Sequence, residues 1–339
     1  MSKISPVKKT LSTLIVLIIF FVLGRILYLN IEALLSYEWH FKYSLLFASF
    51  LLLALNYSIA AYVWTLILKM LGRSINFAQS FRITYLSVAG KYIPGRIWTY
   101  VSQIYLADKV GLPRRLTLVS MVLMLVTYNG IAMLFFISTL LLWENVPTGL
   151  VLILISLLSL LLLFVLHPKV LGKTVNFFLR SLRKEKLEFK FSYKHVLFLL
   201  GLLILDRMIF STCAYLLINS FMILDPIGVI KFSGIFSIAV FLGMITFIAP
   251  AGLGVREGVQ SYLLSLFIPI STAILIPLAI RVCMTLGELV CFLIALKIKK
   301  AEVDLYSVVH GENDTASRSL HRPTSKDEAI KQPVGFLKR

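Results

Sequence analysis

Apolar positions in this chain fall in long unbroken runs, not in the alternation of a half-buried strand. A helix needs about 20 apolar residues to cross a hydrocarbon layer of about 30 Å, where no water is present to satisfy a bare peptide group. The runs Leu11–Leu29, Ser44–Leu71, Leu116–Trp143, Val151–Leu166, Val196–Phe221, Val229–Ile248 and Ser271–Lys297 meet or approach that length. A shorter apolar helix, Val255–Ile268, lies between the last two. The pattern predicts an all-α polytopic transmembrane helix bundle of about 7–8 spans over residues 1–300. Residues 301–339 are polar and aperiodic, and are expected to form a disordered cytoplasmic tail.

Composition agrees with this reading. Apolar residues make up 59% of the chain and charged residues 15%, against roughly 45–50% and 25% in soluble domains. Mean hydropathy is +0.90. There is too little polar surface to cover a soluble core, which excludes a cytosolic enzyme or a secreted domain. The net charge of +18 therefore points to sidedness and not to nucleic acid. Between Gly72 and Arg115 there are seven basic residues and one acid, and between His167 and His195 eight and two. The loops between these blocks are poor in positive charge. By the positive-inside rule the basic loops face the cytoplasm, with both termini inside a cytoplasmic (inner) cell membrane. Eight crossings, counting Val255–Ile268, have the right parity. Lys3, Lys8 and Lys9 precede the first run as in a signal peptide, but no small-residue cleavage site follows, so it is read as an uncleaved span. In the second basic block, Leu171, Val175, Phe178, Leu179 and Leu182 recur at helical spacing. That fits an amphipathic helix on an anionic leaflet, and equally a solvated basic loop.

Two apolar stretches are interrupted, near 75–108 and 247–268. The first carries Gly90-Lys91-Tyr92-Ile93-Pro94-Gly95-Arg96-Ile97-Trp98 and the second Pro250-Ala251-Gly252-Leu253-Gly254-Val255-Arg256-Glu257-Gly258. Proline removes a backbone donor and glycine takes dihedrals that other residues avoid, so each cluster breaks a helix. Broken backbone at membrane depth persists only when packed in protein or lining a wet cavity. Freed N–H groups at the following helix start, with Lys91, Arg96 or Arg256 beside them, suit a phosphate. Paired breaks in the two halves of a chain are a pointer to a transport site; plain cytoplasmic turns are the other reading. The first break has the arm lengths of a re-entrant hairpin.

Charges also lie inside apolar runs: Asp206 and Arg207, then Arg281 and Glu288. Such groups cost about 2.5–3.5 kcal/mol each on insertion scales and face a partner or a cavity. Asp206 with Arg281, and Arg207 with Glu288, are geometrically possible pairs if the two helices pack together. They either fix helix packing or line a polar path. Asn56 and Asn129 are read as helix–helix hydrogen-bonding residues. The five histidines do not cluster, and no metal-ligand spacing, cofactor motif or nucleophile elbow occurs, so no catalytic or metal residue is assigned. Cys213, Cys283 and Cys291 are read as packing residues.

The two broken blocks resemble those of the flippase-like family, also called the lysylphosphatidylglycerol synthase transmembrane region family. Its first block reads GKYIPGK/R-(V/I)W and its second P-(G/A)-GLGVREG, and Arg281 is similar to its arginine in the final helix. The resemblance covers roughly residues 10–300. It implies a bundle with re-entrant elements that handles a lipid with an anionic or polyprenyl-phosphate headgroup, and it implies no cofactor. The family is similar to the membrane half of multiple peptide resistance factor, whose soluble synthase half has no counterpart here. Asp206, Arg207 and Glu288 match no block of the family.

The function expected is a lipid flippase-like transporter, not an enzyme, with a membrane lipid as partner. Lys91, Tyr92, Pro94, Gly95 and Arg96, with Pro250, Gly252, Gly254, Arg256 and Glu257, are expected to hold the headgroup, and Asp206, Arg207, Arg281 and Glu288 to line or gate its path. Two alternatives stay open. One is a membrane glycosyl- or lipid-transferase. The other is an accessory anchor for a peripheral glycosyltransferase.

Overall fold

In the computed structural model of the chain, the described residues are 42–92, 97–143, 146–181, 192–222, 227–245 and 254–298, with Tyr28, Ile31 and Gly252. All belong to the unit Met1–Lys300. The tail 301–339 and all but Tyr28 of the predicted first span lie outside them.

Every regular element among the described residues is helical, as an all-α bundle requires. The helices are α1 (Tyr43–Met70), α2 (Phe77–Val88), α3 (Ile97–Asp108), α4 (Arg114–Thr139), α5 (Thr148–Val165), α6 (Pro168–Ser181), α7 (Tyr193–Asn219), α8 (Ile227–Ile245), α9 (Val255–Leu264) and α10 (Ile270–Lys297). Pro113, Pro147 and Pro269 immediately precede α4, α5 and α10. A proline has no N–H for a preceding helical turn, so each marks a clean start. Among the described residues, five helices are long and apolar enough to cross a membrane: α1, α4 with its 3₁₀ extension to Leu142, α5, α7 and α10. On α5, Leu157, Leu160 and Phe164 are exposed. In a bilayer that face lies against acyl chains.

Of the remaining helices, α2 with α3 and α8 with α9 form two hairpins. α2 runs back along α1: the Ser80 hydroxyl donates to the Ala61 carbonyl at 2.6 Å, and Tyr85 to that of Tyr57 at 2.5 Å. The chain turns at Ala89–Tyr92 and returns as α3. At the foot, Arg114 reaches Asp108 at 2.7 Å. This hairpin therefore enters from the end that carries Met70 and Arg114, and its tip stops at the middle of α1.

The second hairpin is α8–α9, fed from the opposite end. α8 runs antiparallel to α7: Ser233 meets Ser211 at 2.6 Å and Phe236 meets Phe210. α9 returns, so that Phe267 stacks on Trp143 and lies under Lys231, one turn into α8. Val229–Ile248 and Val255–Ile268, counted as two crossings from sequence, thus form one element that enters and leaves at one end. Losing two crossings leaves the parity even.

Among the described residues, buried apolar side chains gather in three clusters, one of them joining Leu53, Tyr57 and Ala61 of α1 to Phe81 and Tyr85 of α2. Trp64, Ile67 and Leu68 of α1 gather with Leu116 and Leu123 of α4 and Val196, Leu199 and Leu203 of α7. Phe210, Leu217 and Ile218 of α7 gather with Phe232, Ile235 and Phe236 of α8 and Ile276 and Ile280 of α10. Between Leu203 and Phe210, at the middle of α7, stand Asp206 and Arg207. The hairpin tips arrive at this level.

α6 is a helix from Pro168 to Ser181, and the side chains of Val175, Phe178 and Leu179 lie outside the described residues. Leu171 is buried in the first apolar cluster, while Lys169, Lys173 and Arg180 are exposed. Leu182 lies outside the described residues.

Candidate functional site

The first hairpin is positioned by a capping box and an aromatic face. The Asn76 side chain accepts from the Gln79 N–H at 2.7 Å, and the Gln79 side chain accepts from the Asn76 N–H. Phe81 and Tyr85 stack at 4.6 Å and face Tyr57 of α1. At the tip, a Cβ built on Gly90 would lie 2.6 Å from the Thr99 nitrogen and 2.7 Å from the Trp98 carbonyl carbon. Only glycine lets the returning strand of backbone pass this close. The next residue, Lys91, is paired with Glu288 of α10. Lys91 was expected to hold the headgroup; in the structure its ammonium has an internal counter-ion. The Tyr92 side chain, Pro94, Gly95 and Arg96 lie outside the described residues.

The second tip turns through Gly252 and Gly254, at φ +70° and +84°. Both angles lie in the left-handed region that side chains disfavour. Pro250 lies outside the described residues. The Gly254 N–H donates to Glu257 Oε2 at 2.8 Å, and Arg281 Nη1 to Glu257 Oε1 at 3.3 Å. Glu257 was expected to hold the headgroup. In this structure its carboxylate caps the start of α9 and neutralises Arg281, so the chain's own anion occupies this helix N-terminus.

The possible pairs Asp206–Arg281 and Arg207–Glu288 do not form. The hairpin tips bring Lys91 and Glu257 to α10, where they pair with Glu288 and Arg281. Asp206 turns instead toward α1, where Asn56 Nδ2 donates to its Oδ1 at 2.8 Å and to its backbone oxygen at 3.0 Å.

Arg207 and Arg256 remain, and they face one cavity of about 200 Å³. Its wall also includes Tyr128 and Asn129 of α4 and Val240, Gly243 and Met244 of α8. Arg256 Nη2 lies 3.4 Å from the Met284 sulfur, a weak acceptor. The Arg207 guanidinium lies 6.0 Å over the Phe210 ring. Neither arginine forms an ion pair among the described residues. The Tyr128 hydroxyl is buried and has no hydrogen-bond partner there. The Asn129 amide donates to the Leu125 carbonyl at 2.7 Å and touches Met244 sulfur at 3.3 Å. Among the described residues, no carboxylate lines the wall. Two guanidiniums and a phenol around a small void have the chemistry to hold an anion.

Met284 and Glu288, which receive Arg256 and Lys91, are one helical turn apart, so the two tips meet at one level. Arg256 is within electrostatic reach of Arg207, Arg281, Glu257 and Glu288. The structure thus joins Lys91, Asp206, Arg207, Arg256, Glu257, Arg281 and Glu288 in one polar centre, but only Arg207 and Arg256 of these line the void. Sequence reasoning missed Tyr128. The available signal was Tyr128-Asn129 in the middle of an otherwise apolar run.

The chain belongs to the lysylphosphatidylglycerol synthase transmembrane region family. The profile described as "Lysylphosphatidylglycerol synthase TM region" matches residues 10–291, a stretch that contains both hairpins and the whole cavity wall. No curated protein matches the chain.

Proposed function

We propose that this member of the lysylphosphatidylglycerol synthase transmembrane region family carries the anionic headgroup of a lipid, an anionic phospholipid or a polyprenyl phosphate, across the cytoplasmic membrane. The cavity carries the reading: Arg207, Arg256 and the Tyr128 hydroxyl face a void with no carboxylate among the described residues of its wall. It lies where two hairpins fed from opposite ends meet, so small movements of either hairpin open it toward one side. The positive-inside rule favours the feet of α2–α3 on the cytoplasmic side and those of α8–α9 on the other. The acyl or prenyl chains stay in lipid while the headgroup passes between the tips. No covalent step is required of the chain, and movement is passive or driven by an ion gradient.

The test is reconstitution of the full chain into vesicles containing tail-labelled phosphatidylglycerol or phosphatidylcholine, with headgroup movement followed by chemical quenching of the outer leaflet. Phosphatidylglycerol moves faster than phosphatidylcholine. Arg256→Ala slows it by about tenfold or more, the worth of one charge-assisted hydrogen bond. Arg256→Ala moving phosphatidylglycerol at wild-type speed would remove the site.

A further inference from the structure

We propose that Asp206 is a proton-binding site linked to anion occupancy of the cavity, so that the headgroup binds together with one proton. The inference rests on the reading of the cavity as an anion site and names its co-substrate.

Asp206 is 5% exposed and sits at the middle of α7. Its side chain has one hydrogen bond among the described residues, from the neutral amide of Asn56. The adjacent Arg207 faces the cavity. The groups that face this pair come from every packed neighbour. They are Asn56 on α1, Tyr128 on α4 and Arg256 on α9, beyond Arg207. From α8 the contact on α7 is the neutral Ser233, and from α10 it is the Cys283 thiol near Cys213. Arg207 is the cation beside Asp206 in this set, and Arg256 is its neighbour.

The empty and filled states therefore differ in where Arg207 finds its negative charge. With the cavity empty, the Asp206 carboxylate is the negative charge next to Arg207 in the chain and acts on it through space, without an ion pair. A phosphate in the cavity balances Arg207 from the front and would place a second negative charge beside Asp206. Taking one proton from water converts Asp206 to the neutral acid and removes that repulsion, while Asn56 keeps an acceptor oxygen. No bond to the anion forms, and the proton leaves when the anion leaves. Binding is then tighter at lower pH, and above the range where empty-state Asp206 is already protonated the dissociation constant rises by up to about tenfold per pH unit.

The test uses the full chain in detergent with a short-chain phosphatidylglycerol, whose phosphodiester does not titrate between pH 6 and 8. Calorimetry in buffers of different ionisation enthalpy counts the protons taken up. Wild type takes up close to one proton per lipid at the alkaline end, and its affinity weakens as pH rises. Asp206→Asn, which keeps the shape of the neutral acid, binds with no proton uptake and with the wild-type low-pH affinity at every pH. Equal uptake in wild type and Asp206→Asn, or binding without uptake in wild type, overturns the linkage and leaves the anion site standing. No binding by wild type, or binding unchanged in Arg207→Ala and Arg256→Ala, overturns both. Should Asp206→Asn not fold, the pH slope of wild type decides: a flat profile overturns the proposal.

Discussion

Adding the same methyl group at two glycines should change stability in opposite directions. At Gly90 a Cβ would stand 2.6 Å from the Thr99 nitrogen, 2.7 Å from the Trp98 carbonyl carbon and 2.8 Å from the Trp98 oxygen. All three are backbone atoms, so no side chain can swing aside. To reach ordinary contact at about 3.4 Å the two arms must separate by roughly 0.8 Å, in a tip held on one side by Tyr85–Tyr57 and on the other by Lys91–Glu288. Overpacking of this kind costs about 1–3 kcal/mol. At Gly201, inside α7, a Cβ meets nothing within 4 Å. There alanine lowers the backbone entropy lost on folding and stabilises by about 0.5–1 kcal/mol. The assay is thermal unfolding of the full chain in one detergent, with Gly90→Ala, Gly201→Ala and wild type side by side. Gly90→Ala melts below wild type and Gly201→Ala at or above it. Gly90→Ala also shifts Lys91 away from Glu288 and slows lipid movement in vesicles. A Gly90→Ala protein as stable as Gly201→Ala would mean that the arms are not in contact at the tip, and the hairpin geometry would fall with it.

Three further outcomes follow from the polar centre and the helix contacts. Glu288→Gln leaves Lys91 beside Arg256 and Arg281, whereas Lys91→Met leaves Glu288 with those two cations in reach. With more like charge left around Lys91, Glu288→Gln lowers the melting temperature more than Lys91→Met, and adding Lys91→Met to it restores part of the loss; the reverse order would contradict this charge balance. Asn56→Leu strips Asp206 of its donor and costs about 1–3 kcal/mol, read as a lower melting temperature; an unchanged one means water replaces the amide. Gly234→Ala puts a Cβ 2.2 Å from the Thr139 hydroxyl oxygen, where α8 lies against α4. It destabilises, and Thr139→Ala in the same chain recovers part of the loss.

The residue order alone determined the class of the molecule. Unbroken apolar runs of about 20 residues have one solution in hydrocarbon, because each peptide group must bond within its own helix. The Gly/Pro clusters had to break helices for a similarly local reason, since the missing proline N–H and the left-handed turn at Gly252 and Gly254 are properties of single residues. Partnership was not local. Asp206, Arg207, Arg281 and Glu288 stood out as costly charges, but spacing on one helix says nothing of which neighbour arrives. Only the packed bundle decided that Lys91 and Glu257, carried in on hairpin tips, neutralise Glu288 and Arg281. That choice turned Asp206 toward Asn56 and left Arg207 and Arg256 facing Tyr128 across an unfilled space. The energy of a charge at membrane depth depends on contacts between segments as much as 227 residues apart, as Tyr57 and Met284 are, and such contacts exist only once the helices have packed.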